Sequence, residues 1–440
     1  MESHAIRCHH PAGAPHSTLV SLILLLPAVL PMQILFLAHR IPYPPDKGER
    51  IRAFHELRYL AAQHEVDLFC FADSAESAEN EKRLRGLCRS VHVEVVGRPV
   101  KLLHAARNFL AGRPVSFGFF ESRKFSREVQ QALQRCRYDV VFVYCSSMGQ
   151  SLPQATQAPI VVDFVDADSQ KFTQYAARSG PFVGWLFARE ARKVAAAEQR
   201  LGRIAAQSFA VTGHDARELR GSGPSDFEVE VIPNGVQVPD PSESQSDPQL
   251  LGIQPYAVFV GTMNYLPNSD AAAYFARDIL PLVRKSHPNL RFVVVGRDPA
   301  RRVRDLSAIP GVLVMGTVPD TFQYLRNAHV SVAPFRISQG FHNKIAESLA
   351  VGTPVITTSR AMAGIGLSER EGLFVADTAE KFADKVTMVL NDVDLRRELR
   401  DRAPAVRQQL SWDVRLRRLE QLILQVAGRP VASPEFVAGH

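Results

Sequence analysis

Lys344 and Glu347 stand three residues apart in APFRISQGFHNKIAESLAVGTPVITTS, residues 333–359. The stretch reads as a strand (VSVAPF), a loop over 336–342, a helix over 343–351, a Gly352 stop, Thr-Pro and a second strand. Gly340 lets backbone approach a ligand. The helix start at Asn343 offers unpaired N–H groups and the positive end of the helix dipole, which together make an anion site. Lys344 adds a cation suited to a diphosphate. Glu347, one turn on and on the same face, can accept hydrogen bonds from two ribose hydroxyls. The competing account is a solvated i,i+3 ion pair.

Two more groups carry chemistry-bearing types. In DFVDADS (163–169), Asp163, Asp166 and Asp168 follow an apolar strand and lie at or near its C-terminal edge. Asp-Ala-Asp can be taken as a D-x-D metal site or as capping of the next helix. In PYPPDKGER (42–50), Lys47, Gly48 and Arg50 precede a helix: Gly48 allows close approach, and Lys47 or Arg50 can touch phosphate or acceptor. Farther on, VKLLHAARNFLAGRPVSF (100–117) puts Leu102, Leu103, Ala106, Phe109 and Leu110 on one face, among Lys101, His104, Arg107 and Arg113. Such a stripe is read as core, with an interfacial helix on anionic lipid as the alternative.

The elements that must position these residues alternate. MQILFLA is followed by a Pro/Gly loop and the helix IRAFHELRYLAAQ, then by apolar runs at VDLFCFA, VHVEVV, DVVFVYC, PIVVDFV and QSFAVTG, with helices between. After PSDFEVEVIPNGVQVPDPSESQSDPQ, which has linker composition, the alternation restarts at YAVFVGT and runs through NLRFVVVG, GVLVMG, VSVAPF, TPVITTS and GLFVA. This predicts two doubly wound α/β domains with parallel sheets, over 32–225 and 251–410, joined by a linker at 226–250. A closing helix is expected over 411–427 and a tail over 428–440. Sheets of this kind bind ligands at their strand C-terminal edges, so a shared cleft is the expected site.

With 440 residues, 46% hydrophobic and 22% charged, the chain is neither disordered, collagen-like nor polytopic. Five scattered cysteines without C-x-x-C argue against a disulfide framework or zinc site and favour a reducing cytoplasm. The net charge of +7 belongs to the first half: residues 32–220 hold 27 Lys/Arg against 20 Asp/Glu, and 221–440 hold 24 of each. An anionic partner, phosphate groups or an acidic membrane surface, fits that excess, as does simple solubility. Residues 18–38 are uncharged but broken by Pro27 and Pro31, and no signal cleavage site follows. The fold-forming pattern starts at Met32, so 1–31 read as an upstream extension or weak anchor.

Gly340–Val355, VIPNGV at 231–236 and GTVPDTFQYLRNAHVSVAPF at 316–335 resemble the retaining GT-B glycosyltransferases of family 4. ILFLAHRIPYPPDKGERIRAFHELRYLA, VDFVDADSQKFTQYA and FVGTMNYLPNSDAAAYF resemble the sugar transferases of PEP-CTERM/exosortase exopolysaccharide systems. The likeness runs from about Met32 to Trp412. It implies two Rossmann-like domains facing a central cleft, with the C-terminal helix crossing back to the first. It implies a retaining, metal-independent transferase with no cofactor and a nucleoside-diphosphate sugar, uridine-linked, as co-substrate.

The same resemblance assigns residues. Asn343, Gly340, Phe341, Lys344, Arg336 and Arg297 would hold the diphosphate, Glu347 the ribose, the backbone at Thr317–Val318 the base and Gln339 the donor sugar. Asp166 takes the position of a cleft His or Asp facing the reacting carbon, with Lys344 and Arg336 neutralising the leaving group. Lys47, Gly48 and Arg50 lie on the acceptor side. Two departures stand out. Gln339 replaces the usual Glu, and Thr262–Asn268 carries no Arg/Lys pair, which shifts phosphate load to Arg336 and Lys344. The implied partners are a nucleotide sugar, a glycan or lipid-linked acceptor and an anionic membrane surface, with no nucleic acid. The implied place is cytoplasmic, at the inner membrane face. A GT-B nucleotide-sugar epimerase and a catalytically idle sugar-nucleotide-binding subunit are the rival readings.

Overall fold

Most of the described strands are runs of Val, Ile, Phe and Leu with few alternating polar residues, the pattern of strands covered on both faces; the alternating run Ser90–Val95 is an exception. The computed structural model describes residues 30–45, 48–74, 80–221, 227–240, 250, 252–337, 340–362 and 364–430. Lys47, Gln339, the extension before residue 30 and the tail from 431 lie outside the described residues. Residues 31–440 form one unit.

The first sheet contains β1 (Gln33–Ala38), β2 (Glu65–Ala72), β3 (Ser90–Val95), β4 (Val140–Tyr144), β5 (Ile160–Asp163), β6 (Gln207–Ala210) and β7 (Glu230–Val231). Its order is β3-β2-β1-β4-β5-β6-β7, all parallel. The two-residue edge strand β7 falls within the stretch read as a linker. The second sheet contains β8 (Tyr256–Val260), β9 (Arg291–Val295), β10 (Val312–Gly316), β11 (Val330–Ala333), β12 (Val355–Thr357) and β13 (Leu373–Val375). Its order, β10-β9-β8-β11-β12-β13, repeats the winding of the first. In each sheet the direction of winding reverses beside the first strand, at β1/β4 and at β8/β11, where such sheets open a crevice for ligand.

The chain crosses between the halves twice, side by side. Val236 N–H donates to Leu410 O at 2.7 Å, just before the last helix, Trp412–Val426. That helix returns to the first half as expected. Trp412 stacks on His55 at 4.6 Å, and Tyr59 Oη donates to Glu420 at 3.1 Å.

The Arg98–Leu110 helix corrects the sequence reading. Its stripe is not core: Leu102, Leu103 and Leu110 are 55%, 68% and 85% exposed, while Lys101, Ala105 and Asn108 face inward. The inversion has specific causes. Lys101 Nζ reaches Asp73 at 2.6 Å, and the Asn108 amide donates to Pro114 O at 3.2 Å. At Gly118 a Cβ would stand 2.6 Å from Ala105 N, so only glycine permits this approach. Among the described residues no helix is long and apolar enough to cross a membrane.

Candidate functional site

The Asn343–Ala350 helix starts beside the β8/β11 crevice and buries Ile345, Ala346, Ser348, Leu349 and Ala350. That packing leaves Asn343, Lys344 and Glu347 facing a cavity of about 470 Å³. Arg297 after β9, Thr317 and Val318 after β10, and Phe341 also line it. So do Gly48 and Ile51, so a second helix start, that of Gly48–Ala61, meets the same space. Two helix N-termini and a cation around one cavity form an electropositive cradle.

Lys344 does not turn to Glu347. Its Nζ donates to Asn268 Oδ1 at 2.6 Å and rests over the Phe259 and Phe335 rings at 4.5 and 4.9 Å. Burial pulls the amino group down to about 7, against the opposing pull of Glu347. Burial likewise pushes the Glu347 carboxyl up to about 7 against Lys344. Both groups are therefore poised to change charge when a ligand arrives.

A second cavity, of about 650 Å³, opens at the β1/β4 crevice and meets the first at Gly48, Phe341 and Asn343. Asp166, Asp168, Lys171, His39, Arg40 and Phe172 are among its walls. The three aspartates do not converge. Asp163 turns inward to Arg52 at 2.6 Å, while Asp166 faces the Gly340 loop of the second half. A Cβ on Gly340, whose φ is +67°, would stand 2.9 Å from Asp166 Oδ1. Nor do Asp166 or Asp168 cap the Asp168–Arg178 helix. Asp215 accepts from Ala167 N–H and Glu198 from Ser169 N–H, each at 3.2 Å. Asp166 is thus left for the cleft, and burial, with Asp215 and Asp168 nearby, raises its carboxyl to about 7.

Asp166, Gly48, Phe341, Asn343, Lys344, Glu347, Arg297, Thr317 and Val318 meet around these two cavities. Arg336 does not. Its guanidinium forms a two-point pair with Asp270, at 2.6 and 3.1 Å, and lies over the Tyr274 ring at 4.6 Å. Arg50, partly buried on the first helix, lies outside both walls, near His39 and Asp73.

Sequence reasoning missed two contributors. His39 is buried between Phe120 and Tyr144, and burial, aided by Arg40, pulls its imidazole down to about 3. It is therefore a neutral hydrogen-bonding group in the second cavity. Its position directly after β1 was the available signal. Asn268, the partner of Lys344, lies 76 residues away and gave none.

Residues 48–235 match the family described as "Glycosyl transferase 4-like domain", and residues 254–392 match "Glycosyl transferases group 1". No curated protein matches the sequence. Solved structures that share the fold include the following three. HepE of Anabaena, in complex with UDP and glucose, is 14% identical with a TM-score of 0.60, over 90% of this chain and 100% of that one. Sucrose-phosphate synthase of Thermosynechococcus elongatus is 16% identical with a TM-score of 0.63, over 90% and 99%. WaaG, a glycosyltransferase involved in lipopolysaccharide biosynthesis, is 16% identical with a TM-score of 0.56, over 90% and 98%. The chain has the GT-B fold, and its two domain families support a glycosyltransferase.

Proposed function

We propose that this GT-B chain moves a sugar from a nucleoside diphosphate, UDP in the first instance, to a glycan or lipid-linked acceptor of exopolysaccharide assembly, with retention at the sugar carbon. The observation that carries the reading is the Lys344/Glu347 cavity, where two helix starts and a cation face each other across the cleft. UDP complexes of a protein with the same fold support the choice of nucleotide.

In this reading the diphosphate lies on the Asn343 helix start, with Lys344 and Arg297 neutralising charge as it departs. That stabilises an oxocarbenium-like transition state without calling on a metal. Arg336, held by Asp270, takes no first part in it. Glu347 holds the ribose, the backbone at Thr317–Val318 meets the base, and Gln339 is assigned to the donor sugar. Asp166 positions the acceptor hydroxyl from the second cavity. Closure of the cleft excludes water and favours transfer over hydrolysis.

The reaction is assigned to the cytoplasmic face of a membrane. The exposed Leu102, Leu103 and Leu110 lie on a helix without acidic residues. Arg189 stacks over Phe109 at 4.5 Å and joins that helix to a second one bearing exposed Phe182 and Trp185. Apolar side chains among cations suit an anionic lipid surface.

A thermal-shift screen with nucleoside diphosphates and their sugars tests the donor assignment. UDP-sugars should raise the melting temperature, because a ligand of the native state alone stabilises it. No shift with any nucleotide sugar would remove the donor site. Transfer unaffected by a chelator, with the product anomer matching the donor, is the expected outcome for metal independence and retention.

A further inference from the structure

Arg52, Glu56 and Asp163 are wholly buried, which is costly for three ionisable side chains unless each is tied to partners. Arg52 sits on the first helix of the first half. Its Nε donates to Asp163 Oδ2 at 2.6 Å. Its Nη1 reaches the segment that leaves that half, donating to Ile232 O at 2.9 Å and Asn234 Oδ1 at 3.0 Å. Asn234 belongs to the segment crossing from β7 to β8. A guanidinium can only donate, so it fixes which way the Asn234 amide points. The carbonyl oxygen faces Arg52, and the amide nitrogen is left to donate to Asn343 Oδ1 at 3.2 Å. Asn343 is the first residue of the helix that seats the donor.

The other end of the chain is Asp163. Its second oxygen accepts from Val165 N–H at 2.8 Å. Val165 has φ +67°, a left-handed conformation rare and costly for a β-branched residue, so it must be held by its surroundings. That turn delivers Asp166 to the cleft, beside Gly340. Glu56 Oε1 lies 2.8 Å from Arg52 Nε. Burial and Asp163 push its carboxyl well above the usual carboxylate range.

We infer that Arg52 is a positioning residue: one guanidinium couples the aim of Asp166 in the first half to the seat of the donor helix in the second. A shift of Asn343 moves Asn234, which shares the fork that holds Asp163. The halves therefore have a buried polar wire as well as a crossing chain. The physical coupling stands on the contacts alone. Its consequence for catalysis rests on the transferase reading.

Hydrogen exchange of the ligand-free protein tests the coupling directly. Asn234→Ala, in the crossing segment, should raise exchange both in 343–350 and in 163–168. Asp163→Asn should do the same from the other end. Arg52→Lys, which keeps the charge and loses the fork, should loosen both segments, and the Asn234→Ala/Asp163→Asn pair should be non-additive. Glu56→Gln, which leaves the Arg52 bonds to Asp163 and Asn234 in place, should alter neither segment. In transfer assays Arg52→Lys should lower kcat at least tenfold, with a smaller change in UDP affinity.

Exchange changes confined to the segment nearest each substitution, 343–350 for Asn234→Ala and 163–168 for Asp163→Asn, or strict additivity, would overturn the proposal. Asn234→Ala removes a neutral side chain and keeps the test open should a charge variant fail to fold. If exchange is coupled but the wild type neither binds UDP nor transfers sugar, the coupling stands and the transferase reading falls.

Discussion

At the scale of the residue, the cavity proposed for the donor depends on two side chains with displaced protonation. Lys344→Ala removes the one cation that both lines the cavity and stands in the first turn of the donor helix. Losing a preorganised electrostatic contact to a leaving group costs about 3 kcal/mol, or roughly a hundredfold in rate. Glu347→Ala should cut transfer by a similar order through loss of the ribose. Both variants should remain folded by circular dichroism, since each side chain faces the cavity. Wild-type rates in both would show that the donor binds elsewhere.

The pH dependence follows from the same pair. In the free protein Lys344 loses its proton as pH rises through about 7. A bound diphosphate favours the charged form, so binding above that pH must take up a proton. Affinity for UDP-glucose should therefore weaken by up to about tenfold per pH unit above neutrality. Titration calorimetry in buffers of different ionisation enthalpy should register the proton uptake. Lys344→Arg, which stays charged, should flatten the profile. A flat wild-type profile would mean that Lys344 does not meet the phosphates.

The placement of Lys344 and Glu347 on a helix start beside a cavity was legible in the sequence because it is local: strand, Gly loop and helix start sit within one short run. Arg336 belongs to the same run, yet its partner Asp270 lies 66 positions away, and that pair turns it from the cavity. The role of Asp163 was equally hidden, since Arg52 is 111 positions upstream. Hydrophobic periodicity says where a strand ends, but not which distant charge waits there.

At the scale of the element, strands were the most legible feature and the Arg98–Leu110 helix the least. Twelve of the thirteen strands of the sheets coincide with apolar runs. The exception is β7, too short at two residues to leave a pattern. The helix misled because amphipathicity identifies two faces without saying which one the protein covers. Here Asp73 and Gly118, both outside the helix, select the polar one. The uncovered face should matter for lipid. Leu102→Asp/Leu103→Asp adds two charges where side chains are already exposed, so stability should change little. Co-sedimentation with phosphatidylglycerol vesicles should fall at least tenfold, while UDP binding stays as in the wild type. Equal sedimentation of both proteins would remove the membrane assignment.

At the scale of the whole molecule, two sheets of the same winding must act as one enzyme, although each has its own core. The larger second-half cluster runs from Val236 to Leu410, and the principal first-half cluster from Leu35 to Val229. Apart from the cleft, the halves are joined by the β7–β8 segment and by the return of the last helix. Trp412 is the pivot of that return, with its ring on His55 and its helix burying Leu416, Leu419 and Ile423 on the first half. Burial pulls His55 down to about 3, so the ring is neutral at physiological pH and the stack loses nothing to desolvated charge. Trp412→Ala should then cost about 3–5 kcal/mol, the usual range for a buried aromatic. The loss falls on the junction rather than on either core, so calorimetry should resolve one endotherm into two. UDP should raise only the transition of the half that holds Lys344 and Glu347. Trp412→Phe, which keeps a ring on His55, should restore a single transition. A single endotherm in Trp412→Ala, displaced downward as a whole, would mean that the halves are fused through the cleft itself and that the last helix is not what makes them unfold together.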